Sequence, residues 1–385
     1  MLTPLRIESI TVRRLRMKMQ SAFTTSFGTQ THRDLLLVEA RSGEHIGYGE
    51  CVAMSAPFYS EEATSTCAVA IEEYLIPALQ NWSRQGGNPG GVVLIDHPEQ
   101  ISQALAPIKR NNMAKSALEG AVWDLWARQQ GLSLAEAFGG TRRQIEVGLS
   151  IGIKQTDAEL IETVGAAVDA GYKRIKIKIA PGRDLQMLRA VRTEFPETPI
   201  MADANSAYTL ADTELFQAMD ELDLMMIEQP LAHDDIVDHR QLQAAIRTPV
   251  CLDESIHSAE DARKAIELGS GKIINIKIGR VGGITESQRI EALCRENGLH
   301  AWCGGMLETG IGRAHNVAIA SLSGFTLPGD TAPSARYWAQ DIIEPEVVME
   351  AGLITVPAAP GLGYGVVPDR LDAHTTHLVS YDLTS

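Results

Sequence analysis

The sequence has few cysteines for its length, and no two of them lie close together. Its 385 residues include five cysteines without a Cys-x-x-Cys pair. An odd number of cysteines in a long chain argues against a disulfide scaffold. We therefore expect reduced thiols in a cytoplasmic protein. The five are Cys51, Cys67, Cys251, Cys294 and Cys303.

Basic residues are also scarce. Lys and Arg number 34 against 49 Asp and Glu, which gives a formal net charge of −15. Nucleic acids and anionic membranes bind to basic surfaces, so we expect neither as a partner. The sequence has no apolar stretch of the signal-peptide kind and no run that approaches the length of a membrane span. These absences leave a small molecule as the expected ligand, for an enzyme or a binding protein alike.

Apolar residues, in contrast, are plentiful. They make up 44% of the sequence, enough for a large core. Residues 1 to about 80 mix strand and helix patterns, which is typical of an α+β unit. A glycine-rich stretch at 85–98 predicts a surface loop. Residues 114–138 have the pattern of a helix that stops at Gly139 and Gly140.

From residue 145 onward, short apolar strands alternate with amphipathic helices. This alternation predicts a parallel sheet. Seven or more such units favour a closed barrel, although the pattern is also compatible with an open sheet. The predicted strands are IEVGLSI (145–151), RIKIKIA (174–180), PIMADAN (199–205), LMMIEQP (224–230), PVCLDES (249–255), IINIKIG (273–279) and HAWCGG (300–305).

The second of these strands carries positive charge on one face. Arg174, Lys176 and Lys178 alternate with isoleucines. In a parallel barrel the outer face is covered by helices, so the two lysines are expected to point into the barrel.

The three strands that follow end in acids. Asp203, Glu228 and Asp253 are separated by 25 residues each, one strand–helix unit. Equivalent residues of neighbouring strands lie side by side at the C-terminal rim of a barrel, where barrel active sites are built. Three carboxylates repel one another unless a cation lies among them, and an all-oxygen set suits Mg²⁺. A single acid at a strand end more often forms an ion pair or caps a helix, but three in series favour a metal site.

Two lysines flank these acids. Lys178 lies one strand before them, and Lys277 lies 24 residues after Asp253. A second lysine, Lys176, and a dication would both disfavour a positive charge on Lys178. Lys178 could then take a proton from carbon near neutral pH, and the metal could hold the resulting enediolate.

Three more polar residues lie beside these groups in the sequence. Asn275 is two residues before Lys277 on the inward face, where we expect it to hold that lysine in place. Asn205 and Glu254 follow two of the acids. They either support the metal ligands or belong to a polar rim without a specific role.

These motifs resemble the muconate-lactonizing-enzyme subgroup of the enolase superfamily. The resemblance covers nearly the whole chain and implies an α/β fold: a modified (β/α)₇β TIM-like barrel with an α+β capping domain. It places capping residues at 1–135, the barrel at 136–335 and a C-terminal segment that returns to the cap at 336–385. It rests on the lysines and acids above and on SALEGAVWDLWARQQGLSLAEAFGG (116–140) and IKIGRVGGITESQRIEALCRENGLHAW (276–302).

Within the subgroup the sequence resembles o-succinylbenzoate synthases that also act as N-succinyl (N-acyl) amino acid racemases. The branch implies removal of a proton α to a carboxylate through an enediolate, with Mg²⁺, Mn²⁺ or another divalent ion as cofactor. The product would be o-succinylbenzoate for menaquinone biosynthesis (a lyase), a racemised N-acyl amino acid (an isomerase), or both. The stretches that carry this are AFTTSFGTQTHRD (22–34), VAMSAPFYSEE (52–62), GGMLETGIGRAHN (304–316) and LPGDTAPSARYWAQDIIEP (327–345).

Other functions stay open at this point. Muconate-type cycloisomerases share the lysines and acids, so only the loops argue against that activity. Dipeptide epimerases carry an Asp-x-Asp pair near the last strands, where this sequence has GGMLETG. A more distant alternative is a noncatalytic, metal-stabilised ligand-binding barrel. The presence of both lysines argues against it.

The resemblance also assigns residues to a site for a small-molecule carboxylate. Arg280, three residues after Lys277, would support catalysis. The capping-loop residues could equally serve as packing between domains, and Ser150 could merely fit a narrow barrel. The resemblance further implies a homo-oligomer, a dimer or an octamer. The substrate-binding residues implied are Phe23, Met54 and Tyr59 on the capping loops, Ser150 on the first barrel strand, and Gly305, Met306 and Leu307 away from the metal, in a turn whose N–H groups could bind a carboxylate.

Overall fold

An antiparallel sheet and a group of helices form the first part of the chain in the computed structural model, which describes residues 4–25, 28–86, 88 and 92–384. A π-helical turn at Ala70–Leu75 joins its first two helices. The elements are β1 (Leu5–Ile7), β2 (Ser9–Thr25), β3 (Gly28–Ser42), β4 (His45–Cys51), α1 (Thr64–Val69), α2 (Ile76–Gln85), β5 (Val93–Ile95), α3 (Glu99–Leu105), α4 (Asn112–Gln130) and α5 (Leu134–Phe138).

Strands and helices then alternate, as the sequence predicted. Each of the seven predicted barrel strands is present, although each is shorter than its apolar run. The elements are β6 (Gln144–Glu146), β7 (Gly148–Ile151), α6 (Asp157–Asp169), β8 (Arg174–Lys178), α7 (Leu185–Glu194), β9 (Ile200–Asp203), α8 (Thr213–Met219), β10 (Ile227–Glu228), α9 (Val237–Ala245), β11 (Val250–Leu252), α10 (Ala259–Leu268), β12 (Ile273–Ile276), α11 (Ile278–Val281), α12 (Ile284–Glu296), β13 (His300–Cys303) and α13 (Gly310–Ile319).

The last elements return to the first part of the chain. The last strand, β17 (Thr375–Asp382), pairs antiparallel with β2, so the order of the outer sheet is β17-β2-β3-β4. The capping domain is therefore built from both ends of the chain, as the resemblance implied. The elements are β14 (Ile343–Glu344), β15 (Leu353–Thr355), β16 (Gly365–Val366), α14 (Pro368–His374) and β17 (Thr375–Asp382).

The barrel is closed by an irregular segment. Strands β7 to β13 are parallel and hydrogen-bonded in chain order. Residues 325–330, which we call the closing segment, then run between the two edge strands. Phe325 forms a parallel bridge with Ala301 in β13, and Gly329 forms one with Val147 just before β7. The closing segment takes the place of the eighth strand, which confirms the (β/α)₇β barrel.

Local chemistry explains how several helices begin and end. The Ser258 hydroxyl accepts the Asp261 N–H at 3.2 Å and caps α10. Thr156 caps α6 in the same way. Helix α10 ends at Gly269, whose φ of +72° is the left-handed conformation that favours glycine. Such caps fix the points at which the helices leave the barrel.

The cap packs closely on its long helix and reaches over the barrel rim. Helix α4 crosses the outer sheet at Gly49, where a Cβ would lie 2.0 Å from the Ala117 carbonyl oxygen. The hairpin of β2 and β3 extends to the mouth of the barrel, where the Ile153 N–H donates to the Thr24 carbonyl at 3.3 Å. The hairpin therefore places Phe23 above the C-terminal ends of the barrel strands.

Some expectations stay predictions after this description. The divisions at 1–135, 136–335 and 336–385 are among them. Residues 1–3, 26–27 and 385, and residues 87 and 89–91 of the predicted glycine-rich loop, lie outside the described residues. Among the helices that are described, none has both the length and the apolar character that a membrane span requires.

Candidate active site

Side chains at the C-terminal ends of β8, β9 and β10 form one level of the barrel interior. Lys178 pairs with Asp203, and Asp203 pairs with Glu228. Glu228 pairs in turn with Cys251, so Asp253 lies two residues further along its strand. Because side chains alternate along a strand, a shift of two residues leaves the Asp253 side chain on the inward face. The prediction of three acids side by side is therefore right about the face and wrong about the level of Asp253, because strands in a barrel are staggered.

Each of the three carboxylates is buried against a cation. Asp203, Glu228 and Asp253 are at most 1% exposed. Burial alone would raise the pKa of Asp203, but Lys178 and Lys176 outweigh it and leave that pKa at about 2. Asp203 is therefore ionised, and all three carboxylates are held in place by cations. The ion pairs are Lys178–Asp203 at 2.7 Å, Lys176–Glu228 at 3.1 Å, Lys277–Asp253 at 2.8 Å and Arg280–Asp253.

The two candidate bases stand at opposite ends of this row. Lys178 contacts Asp203, and Lys277 contacts Asp253. Lys277 also donates to the Tyr59 hydroxyl at 2.8 Å and lies 4.6 Å from the centre of that ring. Burial alone would lower the pKa of Lys277, but Tyr59 and nearby carboxylates raise it above its usual range. In this arrangement Lys277 is an ammonium, the form that can return a proton.

The three acids offer the donors that a hard divalent cation prefers. All six candidate ligand atoms are carboxylate oxygens, which suits Mg²⁺ better than a thiolate- or imidazole-binding metal. In the part of the chain that the structure describes, no three His, Cys, Asp or Glu side chains stand in a ready metal-binding arrangement. The carboxylates contact lysine and arginine instead. The donor chemistry fits a divalent ion, and its binding would require these cations to give way.

Two predicted support residues act on the acids. The Asn275 amide donates to Glu228 Oε1 at 2.8 Å. The expectation that Asn275 holds Lys277 is wrong, because the amide donates instead to Glu228 on β10, two strands away in the sheet. Arg280 is 2% exposed and its guanidinium contacts Asp253. Both residues therefore orient candidate metal ligands.

Asn205 and Glu254 form a link beside Lys178. The Asn205 carbonyl oxygen accepts from the Lys178 ammonium, and its amide donates to Glu254 Oε1 at 2.9 Å. Glu254 Oε2 is buried and has no hydrogen-bond partner among the described residues. Burial raises the pKa of Glu254 above its usual range. This second oxygen is a further acceptor close to the row of acids.

The small residues of β7 have two different uses. Gly148 pairs with Arg174, and a Cβ on Gly148 would lie 2.5 Å from the guanidinium carbon. Gly148 therefore makes room for a protein side chain. Ser150 pairs with Lys176 and faces the cavity above it.

One cavity at the barrel mouth collects every residue that the resemblance assigned to substrate. Sequence reasoning missed two of its residues, Asp330 and Tyr337. Tyr337 follows the closing segment and gave no signal beyond its place in a similar stretch. The residues that line the cavity are Phe23, Met54, Tyr59, Ser150, Lys176, Lys178, Asn205, Lys277, Gly305, Met306, Leu307, Asp330 and Tyr337.

The turn after β13 is more constrained than the sequence suggested. The Met306 N–H donates to Glu308 Oε1 at 2.7 Å, so the idea that it binds a substrate carboxylate is wrong for this N–H. Leu307 has a φ of +60°. A Cβ on Gly304 would lie 2.2 Å from Asn275 Oδ1, which requires glycine there. The turn therefore presents the Met306 and Leu307 side chains to the cavity.

Asp330 lies at the end of the closing segment and is the main charged residue that was missed. Its carboxylate is 2.7 Å from Lys176 Nζ and 2.9 Å from Arg174 Nη2. Burial alone would lower the pKa of Lys176, but Asp330, Glu228 and Asp203 raise it above its usual range. Because carboxylates surround Lys176, it repels Lys178 less than the sequence suggested. A signal existed: Asp330 follows Cys303 by 27 residues, close to one more strand–helix unit.

Comparisons with known proteins agree over most of the chain. Two family models match: "Mandelate racemase / muconate lactonizing enzyme, N-terminal domain" over residues 7–139 and "Enolase C-terminal domain-like" over 159–370. An o-succinylbenzoate synthase from Geobacillus stearothermophilus is 53% identical over 96% of each chain. An N-succinylamino acid racemase from Thermus thermophilus is 44% identical over 93% of this chain and 94% of its own. A solved enolase superfamily member from Listeria innocua has a TM-score of 0.92 at 39% identity, covering 98% of this chain and 99% of that one.

Proposed function

This chain belongs to the mandelate racemase/muconate lactonizing enzyme family of the enolase superfamily and is an enzyme; from that premise we propose that it removes the proton α to a substrate carboxylate. We propose two reactions for one site, the dehydration that forms o-succinylbenzoate and the racemisation of N-succinyl amino acids. The observation that carries the proposal is the placement of Lys178 and Lys277 at opposite ends of one row of buried acids. Similarity to relatives of both names supports the pair of activities.

We further propose Mg²⁺ as the metal, because superfamily members generally use a divalent ion and these donors are all oxygen. Asp203, Glu228 and Asp253 would hold it. When bound, the ion would supply positive charge that acidifies the α-proton and stabilises the enediolate.

For racemisation, the two lysines work from opposite faces of the α-carbon. One lysine in its neutral form accepts the α-proton, and the other, as an ammonium, donates a proton to the opposite face. Because Lys178 lies at the end of β8 and Lys277 follows β12, the two amines are held at opposite ends of the row of acids. When the two lysines exchange the roles of base and acid, the other enantiomer is converted. Each lysine therefore serves as the base for one enantiomer of the substrate.

For dehydration, a single lysine suffices. Lys178 accepts the α-proton and returns it to the departing β-hydroxyl, so that the C–O bond breaks and water leaves as the new double bond forms. Lys277 stays an ammonium, and its positive charge faces the electron-rich intermediate. Because Tyr59 contacts Lys277 directly, it helps to keep water from that side.

A substrate panel tests this assignment. The purified protein, with Mg²⁺, is assayed on the o-succinylbenzoate precursor, on L- and D-N-succinyl amino acids, on a muconate and on a dipeptide. We expect turnover of the first two classes, loss of activity after exhaustive chelation and recovery with Mg²⁺ or Mn²⁺. Turnover of only the muconate or the dipeptide would overturn the assignment, and full activity after chelation would overturn the metal.

A further inference from the structure

We propose that Asp330 is a positioning residue that draws the Lys176 ammonium toward itself and so weakens its pairing with Asp203 and Glu228, which makes these carboxylates easier for a divalent ion to bind. The inference rests on the proposed metal site. Asp330 is no metal ligand in this account and contributes through Lys176 alone.

The distances rank the partners of Lys176. Its Nζ lies 2.7 Å from Asp330, 3.1 Å from Glu228 and 3.4 Å from Asp203. The nearest carboxylate is thus that of Asp330, which lies on the closing segment and not on the strands that carry the three candidate metal ligands. Since Lys176 is only 3% exposed, bulk water would compensate poorly for a lost partner.

The backbone holds Asp330 in this place. Its N–H donates to the Cys303 carbonyl at 2.8 Å, and the preceding residue bridges to β7. Arg174, which is fully buried, lies on the other side of the carboxylate. The rings of Trp302 lie beneath both cations, with the Arg174 guanidinium 4.6 Å and Lys176 Nζ 5.0 Å from its centre. The Lys176 ammonium therefore lies between the fixed Asp330 carboxylate and the Trp302 ring.

Removing the Asp330 carboxylate would change which groups the Lys176 ammonium pairs with. A buried ammonium without a counter-charge is strongly unfavourable, so it would turn fully to the remaining carboxylates. Those are Glu228 and Asp203, and a divalent ion would then have to displace a tightly paired ammonium. The attraction between buried charges is several times that in water, so the effect on metal affinity is expected to be large.

A double-mutant cycle on Mg²⁺ binding tests the proposal. Titration calorimetry without substrate is run on the full-length wild type, Asp330→Asn, Lys176→Met and the double variant. We expect Asp330→Asn to weaken Mg²⁺ binding at least tenfold. In the Lys176→Met background the same change should alter affinity by less than about threefold, because the residue it restrains is gone.

The outcomes separate the proposals. Unchanged Mg²⁺ affinity in Asp330→Asn would overturn the role of Asp330, as would an equal loss in both backgrounds. If Asp330→Asn does not fold, as judged by circular dichroism, the comparison of Lys176→Met with the double variant still decides the matter, since a tenfold difference there would contradict the proposal. Absence of Mg²⁺ binding and of turnover in the wild type would instead be a failure of the proposed function.

Discussion

The two halves of the barrel mouth differ in charge. From β8 to β12, which we call the charged half, the interior carries paired acids and lysines, buried and fixed by ion pairs of 2.7 to 3.1 Å. From β13 through the closing segment to β7, which we call the apolar half, the residues that line the same cavity are mainly small or apolar. They include Ser150, Gly305, Met306 and Leu307, which lie under Phe23. Asp330 is the exception, and it is turned to Arg174 and Lys176.

This difference teaches how one site could serve two reactions. The charged half would act on the carboxylate and α-carbon that both substrate classes share. The apolar half would contact the part of the substrate that varies. Changes to the two halves should therefore have different kinetic signatures.

The largest expected effect comes from the charged half. Glu228→Gln keeps the size of the side chain and an acceptor for Asn275, but removes one negative charge from a fully buried position. Because metal charge stabilisation is worth several kcal/mol, we expect kcat/KM to fall by about 10³-fold or more. Mg²⁺ affinity should fall with it. The matched control is Ser150→Ala in the other half, and a Glu228→Gln enzyme as active as that control would refute the distinction.

A smaller effect is expected from the apolar half. Met306→Ala removes a 5% exposed side chain from the cavity wall. We expect it to change the ratio of kcat/KM between small and large N-succinyl amino acids by about 10- to 100-fold, since apolar pocket contacts discriminate by roughly 1–3 kcal/mol. Mg²⁺ affinity should stay the same. Equal losses on all substrates would show that Met306 does not set preference.

The smallest expected effect concerns the turn after β13, where Gly304 packs against Asn275 and Lys277 of the charged half. In Gly304→Ala, the new Cβ would lie 2.2 Å from Asn275 Oδ1 and 2.7 Å from Lys277 Cγ. We expect the free energy of unfolding to fall by about 1–3 kcal/mol, as measured with urea. Gly165→Ala in α6 is the control: its nearest neighbour would be Phe195 at 3.5 Å, and alanine favours a helix. Equal stability of Gly304→Ala and Gly165→Ala would contradict the claim that the turn has no room for a Cβ at residue 304.

The charged half was the more predictable one, for a physical reason. Asp203, Glu228 and Asp253 recur at the length of one strand–helix unit, and alternation along a strand fixes the inward face. The level of Asp253 was not predictable, because it depends on the stagger between strands. The hydrogen-bond partner of Asn275 was missed for a related reason, since the sequence gives the face of Asn275 but not which side chain it meets on β10, two strands away.

The other half depended on resemblance. Apart from Ser150 on β7 and Phe23 on β2, its residues lie on loops, where no periodicity relates sequence to position. Asp330 belongs to a segment that bridges β13 and β7 without forming a regular strand, so no alternating pattern marks it. Counting one more strand–helix unit from Cys303 would have placed Asp330 near the C-terminal rim of the barrel. Its pairing with Lys176 still required the closed barrel.

The central claim is that Lys178 and Lys277 act from opposite faces of the substrate, and proton exchange tests it most directly. Wild type, Lys178→Ala and Lys277→Ala are incubated with each enantiomer of one N-succinyl amino acid in D₂O, and loss of the α-proton signal is followed by NMR. We predict that each variant still exchanges one enantiomer and loses exchange of the other by about 10²- to 10⁴-fold, with opposite preferences. Equal loss for both enantiomers in both variants would contradict the account.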